Sequence, residues 1–157
     1  AFSPIPDASA VLPLSRPPLM REHRLYQSDW LMRFYDYQPA EVVAAADPAT
    51  GMLPLDIDPK LAWALRFRDR FPVDVNRAPR EMLLRVPGLG VKAVDRIIAS
   101  RRWRRLRLDD VARLTVSVAK LRPFIVAEDW RPVLLTDRAD LKPLVQPKKE
   151  QLELFAA

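Results

Sequence analysis

The chain of 157 residues contains no cysteine, one histidine and only three glycines. Without thiols it can hold no disulfide framework, no thiolate zinc site and no cysteine-ligated iron–sulfur cluster within these residues. A reducing cytoplasm fits that composition. No apolar run approaches the length of a membrane span, and the first twenty residues carry five prolines (Pro4, Pro6, Pro13, Pro17 and Pro18) where a signal peptide would carry an apolar stretch. A soluble protein with no membrane partner is therefore expected. Methionine is also missing from the first position. Ala1 opens what reads as an extended segment, so a piece of something longer is expected. With 49% hydrophobic content the chain can bury one modest core, arranged as one or two small domains.

Two of the three glycines stand two residues apart in VPGLGVK, Val86 to Lys92, between a short apolar-periodic stretch and a longer basic one. This is the pattern of a helix-hairpin-helix, in which a turn too tight for side chains lets backbone N–H groups reach phosphate oxygens. The following helix offers its positive N-terminus, and Lys92 adds a mobile charge at the same spot. Pro87, Gly88, Leu89, Gly90, Val91 and Lys92 are the expected phosphate-binding residues. Replacing both glycines by Ala is expected to cost DNA affinity with little loss of fold. The same letters fit GxGxxA, from Gly88, Gly90 and Ala93, with Asp109 or Asp110 as a ribose-binding acid. A dinucleotide fingerprint must follow a buried strand, however, whereas NRAPREMLLRV (Asn76 to Val86) reads as a helix, with Pro79 suited to N1, Met82 and Leu83 facing a core and Pro87 stopping it. An ordinary helix corner with a glycine cap is the plain alternative.

The net charge is +6 and the isoelectric point about 10.1, which points to a polyanionic partner. The charge is unevenly placed. Lys92, Arg96, Arg101, Arg102, Arg104, Arg105 and Arg107 face only Asp95 across their stretch, directly after the glycine turn. GC-rich coding could produce the abundance of Arg, but it would not put the densest cluster beside a phosphate-binding turn. With these cations on DNA, a plot of log K against log salt should have a slope of about −3 to −5, at roughly −0.9 per contact.

The expected fold class is all-α: a tandem helix-hairpin-helix domain, its second unit degenerate, with a preceding helical segment and extended proline-rich arms. Residues 1–20 read as an extended proline-rich segment. Residues 21–70 read as helical, beginning with REHRLYQSDWLMRFYDY (Arg21 to Tyr37), where Tyr26, Trp30, Phe34 and Tyr37 form a stripe expected to be core. Base stacking by that stripe is the lesser alternative. PAEVVAAA (Pro39 to Ala46) is a second helix. Asp58 and Pro59 form an N-cap and N1 pair opening a third, and capping accounts for Asp56 and Asp58 better than metal binding does. No metal ligands are expected. Residues 71–126 form the DNA-binding domain. Val91 to Arg102 should bury Val94, Ile97, Ile98 and Arg101, with Lys92 and Arg96 aligned one turn apart. Leu106 to Val126 repeats the theme without glycines, with Asp109 or Asp110 as N-cap, Thr115-Val116-Ser117 as the turn, and Leu121 and Ile125 inward.

Residues 127–157 read as a strap and a flexible tail. The tail ends in QLELF, which resembles the pentapeptide by which bacterial repair and replication proteins bind the DNA sliding clamp. Gln151 supplies an amide anchor, and Leu152, Leu154 and Phe155 are apolar plugs for a groove. A staple of these leucines onto the domain itself is the alternative.

Several stretches together resemble the C-terminal part of the DNA modification/repair radical SAM proteins: AFSPIP (Ala1 to Pro6), REHRLYQSDWL (Arg21 to Leu31), LDIDPKLAWALR (Leu55 to Arg66), RFPVDVNRA (Arg70 to Ala78) and MLLRVPGLGVKAVDRII (Met82 to Ile98). The similarity extends to about Phe124. It implies a preceding radical SAM barrel, on the same or a separate chain, holding a [4Fe–4S] cluster and S-adenosylmethionine. The present residues hold no cofactor in that reading and serve as a DNA-handling appendage, near the nucleoid. Thr115 stands where the second unit often has glycine, which puts phosphate binding by that unit in doubt. His23 is left without a role. No catalytic residue is expected in this chain. A glycosylase-like enzyme using Asp109 or Asp110 is the competing enzymatic reading, set against a good helix-start reading of LDDVARL and a chain too short for a base-flipping pocket. A helix-hairpin-helix serving protein interaction is the third.

Overall fold

A computed structural model describes residues 17–115, 117–132 and 141–146. Its elements are α1 (Leu19–Phe34), α2 (Pro39–Ala44), α3 (Pro59–Arg66), β1 (Val73–Asp74), α4 (Arg80–Arg85), α5 (Val91–Ser100), α6 (Leu108–Ala112), α7 (Val118–Leu121), β2 (Ile125–Val126) and α8 (Leu141–Val145). The described residues are thus mostly helical. No helix among them is long and apolar enough to cross a membrane.

Local signals place several boundaries. Asp58 accepts a hydrogen bond from Leu61 N–H at 2.8 Å, capping α3, and Pro59 follows at the position where a missing N–H costs nothing. Gln38 and Glu41 close a capping box on α2, again with Pro at the start. Two expected starts move. Pro79 is the N-cap of α4, with Asp74 gathering the preceding turn by accepting from Asn76 N–H. Neither Asp109 nor Asp110 caps α6. Arg107 is the N-cap, and Asp110 sits three residues in, accepting from Arg107 N–H at 3.0 Å.

The core centres on Trp63, Leu61, Leu83, Leu84, Leu89, Ile97, Leu121 and Phe124, all essentially inaccessible. Phe71 stands edge-on to both Trp63 and Phe124, joining α3 to the C-terminal part of the chain. A two-stranded parallel pair, Val73 opposite Ile125 and Asp74 opposite Val126, ties the segment before α4 to the one after α7. Ile125 is therefore buried on a strand and not on a helix. Asn76 extends this ladder with its side chain, accepting from Leu106 N–H at 2.8 Å and donating to Leu106 C=O at 3.1 Å. This half-buried amide satisfies the Leu106 N–H and shares the Leu106 C=O with the Glu128 N–H, which donates to it at 3.0 Å.

The aromatic stripe of α1 is not core. Tyr26, Trp30 and Phe34 are about half or more exposed, and the buried positions of the helix are Arg24, Ser28 and Leu31. The reason is what α1 lies against. Its inner side meets α3 and the loop before it, and the loop's backbone needs donors: Arg21 reaches Leu53 C=O at 2.6 Å and Arg24 reaches Leu55 C=O at 2.7 Å. Tyr37 alone of the stripe is buried, and it lies beyond the end of α1. There it packs edge-on to Trp63, beneath an Arg85 guanidinium that is paired with Glu41 at 2.7 Å. At the other end, Leu141 and Val145 of α8 are buried, while Lys142 and Gln146 bond Asp56. The motif Gln151–Phe155 lies outside the described residues.

Candidate nucleic-acid interface

The turn between α4 and α5 is built by four residues with distinct tasks. Pro87 and Leu89 are buried, so Leu89 anchors the turn in the core, while Gly88 and Gly90 reach the surface between them. Gly88 has φ +86°, a left-handed conformation that any L side chain resists. Gly90 is extended (φ −88°, ψ 165°) and forms the N-cap of α5 with no side-chain cap. The N–H groups of the first turn of α5, Val91 and Lys92 among them, consequently have no helical acceptor.

Two carbonyls of the turn are held from inside. Lys60 donates to Leu89 C=O at 2.6 Å, and Thr115 donates to Gly88 C=O at 2.6 Å. A trans peptide directs its N–H opposite to its C=O, so the Gly90 N–H points away from Lys60 and toward the open end of α5. The Leu89 N–H is spent internally, donating to Val86 C=O at 3.2 Å. Lys60 is itself buried, over the Tyr35 ring, and burial pushes its ammonium down to about 7, against the pull of the Asp58 carboxylate and with Arg85 and Lys120 adding to the depression. Sequence reasoning missed Lys60. A lysine in the helix PKLAWALR carries no local sign that it will be enclosed. Beside it, Tyr26, Trp30 and Tyr35 wall a cleft of about 420 Å³ whose floor includes Lys60.

The basic cluster is less free than its spacing suggests. Arg101 donates to Val75 C=O at 3.1 Å and Ala78 C=O at 2.7 Å, so it staples the end of α5 to the turn before α4. Arg104 holds Asp110 through two bonds, Arg105 pairs with Glu128, and Arg107 pairs with Asp129. These carboxylates arrive from α6 and from the segment after β2, which correct the expectation that only Asp95 opposes the cluster. Asp95 is engaged elsewhere, with Arg80 at 3.1 Å. Among the described residues Lys92, Arg96 and Arg102 are exposed and have no hydrogen-bond or ion-pair partner. Lys92 and Arg96 follow the turn on one face of α5, and Arg102 lies just past its end.

Asp110, the competing catalytic candidate, is held below the ordinary carboxylate range by Arg104 and by the Arg107 N–H. Both contacts belong to its place three residues into α6, where its carboxylate closes a capping box on the Arg107 N–H. Asp109 is exposed beside it. Among the described residues no group of three or more His, Asp or Glu side chains is placed to hold a metal ion, and with no cysteine in the chain these residues do not fit an iron–sulfur cluster. His23 lies on the exposed surface of α1. No family model matches the chain, and no curated protein or solved structure matches it.

Proposed function

We propose that this chain binds DNA through the phosphate backbone without reading base sequence, the α4–α5 turn acting as a helix-hairpin-helix and the α6–α7 pair as its degenerate second unit. The observation that carries this reading is the orientation of the turn: Lys60 and Thr115 hold its carbonyls inward, which leaves the Gly90 N–H and the first turn of α5 as donors beside the uncommitted Lys92. Oriented donors at a helix start favour anions, and the nearby free cations Arg96 and Arg102 extend the positive surface. Thr115 supports the degeneracy of the second unit, because its hydroxyl is spent on the first one.

On the resemblance described above, the module serves a DNA-modifying radical SAM enzyme as its DNA-handling part. The cofactors of that chemistry, a [4Fe–4S] cluster and S-adenosylmethionine, would belong to the preceding barrel. The terminal QLELF would tether the assembly to the bacterial sliding clamp, near the nucleoid.

Fluorescence anisotropy with random-sequence duplex at several salt concentrations tests the DNA reading. With three uncommitted cations, the plot of log K against log salt should have a slope of about −3, at roughly −0.9 per phosphate, and Lys92→Ala should flatten it by about one. A slope near zero would instead assign the domain to protein interaction.

A further inference from the structure

The loop after α5 carries the most exposed large side chain among the described apolar residues. Trp103 is 89% exposed, and no described ring or cation stacks on it. An indole left in water forgoes one of the largest burial gains available to a side chain. The backbone around it is not loose. On one side Arg101 is stapled to Val75 and Ala78, and Trp103 N–H itself donates to Ser100 C=O at 3.1 Å. On the other side Arg104 is clamped to Asp110, Arg105 to Glu128, and Leu106 is buried and paired with Asn76. Every neighbour but Arg102 is tied down. The fold thus holds a tryptophan and a free guanidinium projecting from a fixed tip.

We infer that Trp103 is a stacking site for an unpaired nucleobase, with Arg102 on the adjoining phosphate, so that the domain favours DNA in which a base face is exposed at an end, gap or single strand. This rests on the phosphate-binding reading of the α4–α5 turn. The two sites lie at opposite ends of α5, whose ten residues span about 15 Å, or four to five nucleotides of stacked strand at about 3.4 Å each. One strand can therefore meet the turn with its backbone and Trp103 with a base. In a continuous duplex both faces of each base are covered by neighbours, and the indole has nothing to stack on. A base face suits a flat, polarisable, cation-flanked ring without regard to sequence, which matches the rest of the surface.

The test compares anisotropy titrations of the full chain and three variants, Trp103→Ala, Trp103→Leu and Trp103→Phe, on a covalently closed duplex circle, which has neither ends nor loops, and on a single strand of the same length. Melting temperatures should be unchanged, because nothing packs on the indole. Trp103→Ala is expected to weaken single-strand binding about tenfold, the scale of one lost base–aromatic stack, while leaving the closed duplex untouched. Trp103→Leu should be as weak as Ala, and Trp103→Phe should recover most of the affinity. If the wild type binds the duplex but Trp103→Ala loses nothing on the single strand, or loses equally on both, the stacking site is wrong and backbone binding stands. If Trp103→Leu binds as wild type, the tip is a plain apolar contact of the kind a protein partner uses, and the inference falls. Binding of neither DNA by the wild type would overturn the proposed function together with it.

Discussion

Gly88 and Gly90 stand two residues apart in one turn, yet their replacement by alanine should change stability in opposite directions. Gly88 sits at φ +86°, where a Cβ costs about 1–2 kcal/mol of backbone strain. The space itself is adequate: the added atom would lie 3.4 Å from Ser117 C=O, 3.6 Å from Thr115 Oγ1 and 3.7 Å from Lys120 Cβ. Alanine also restricts the unfolded chain, which returns about 0.4–1 kcal/mol. Gly88→Ala should therefore destabilise by roughly 1 kcal/mol. Gly90 is extended, and its Cβ would meet only Tyr35 Oη at 3.8 Å, so Gly90→Ala keeps the unfolded-state gain without strain. The unfolded-state gain is common to both, so the two variants should differ by the strain, about 1–2 kcal/mol, or roughly 2–8 °C in melting temperature for a chain of this size. The positive φ of Gly88 thus adds a strain cost to the double replacement that the exchange at Gly90 does not carry. Thermal melts followed by circular dichroism give the comparison, with Gly88→Asn as a control, since asparagine tolerates the left-handed region and should recover part of the loss. Equal destabilisation by Gly88→Ala and Gly90→Ala would refute the reasoning. On DNA, Gly90→Ala is then the informative variant, because any affinity it loses cannot be blamed on a weakened fold.

Lys60 makes stability depend on pH. In the folded chain burial holds its ammonium down to about 7, whereas unfolded it keeps its proton to about 10.4, so between these values the unfolded state binds more protons and stability rises with pH. From pH 7 to 9 the gain is up to about 2–3 kcal/mol, reduced by the Leu89 carbonyl and the Tyr35 face, which favour the charged form. Urea midpoints should show this rise in the wild type and not in Lys60→Met, and parallel curves for the two would count against a depressed lysine. For the tail, a peptide of residues 147–157 should bind the bacterial sliding clamp in calorimetry without the rest of the chain, because a linear motif needs no fold to present it and meets its ordering cost on binding. Leu154→Ala with Phe155→Ala should abolish that binding, and no heat from the intact peptide would remove the tethering role.

What the sequence by itself determined is whatever neighbours along the chain decide. Asp58 before Pro59 starts a helix because both act on backbone groups within one turn, and Gly88 marks the left-handed corner because only backbone sterics are at stake there. The short α4 and the longer α5 around the turn follow from the same local chemistry. Tertiary structure decided the rest, because it concerns which segment lies opposite. The face of α1 turned inward is the one with Arg21 and Arg24, since the opposing loop offers bare carbonyls, and an aromatic stripe cannot answer them. The basic stretch lost Arg101 to two carbonyls and Arg104, Arg105 and Arg107 to carboxylates brought in by α6 and the chain after β2, a pairing that no count of charges along the stretch contains. Lys60 became the support of the turn between α4 and α5 only because α3 passes beneath it. Trp103 stands in solvent because its neighbours, and not the indole, found partners in the fold.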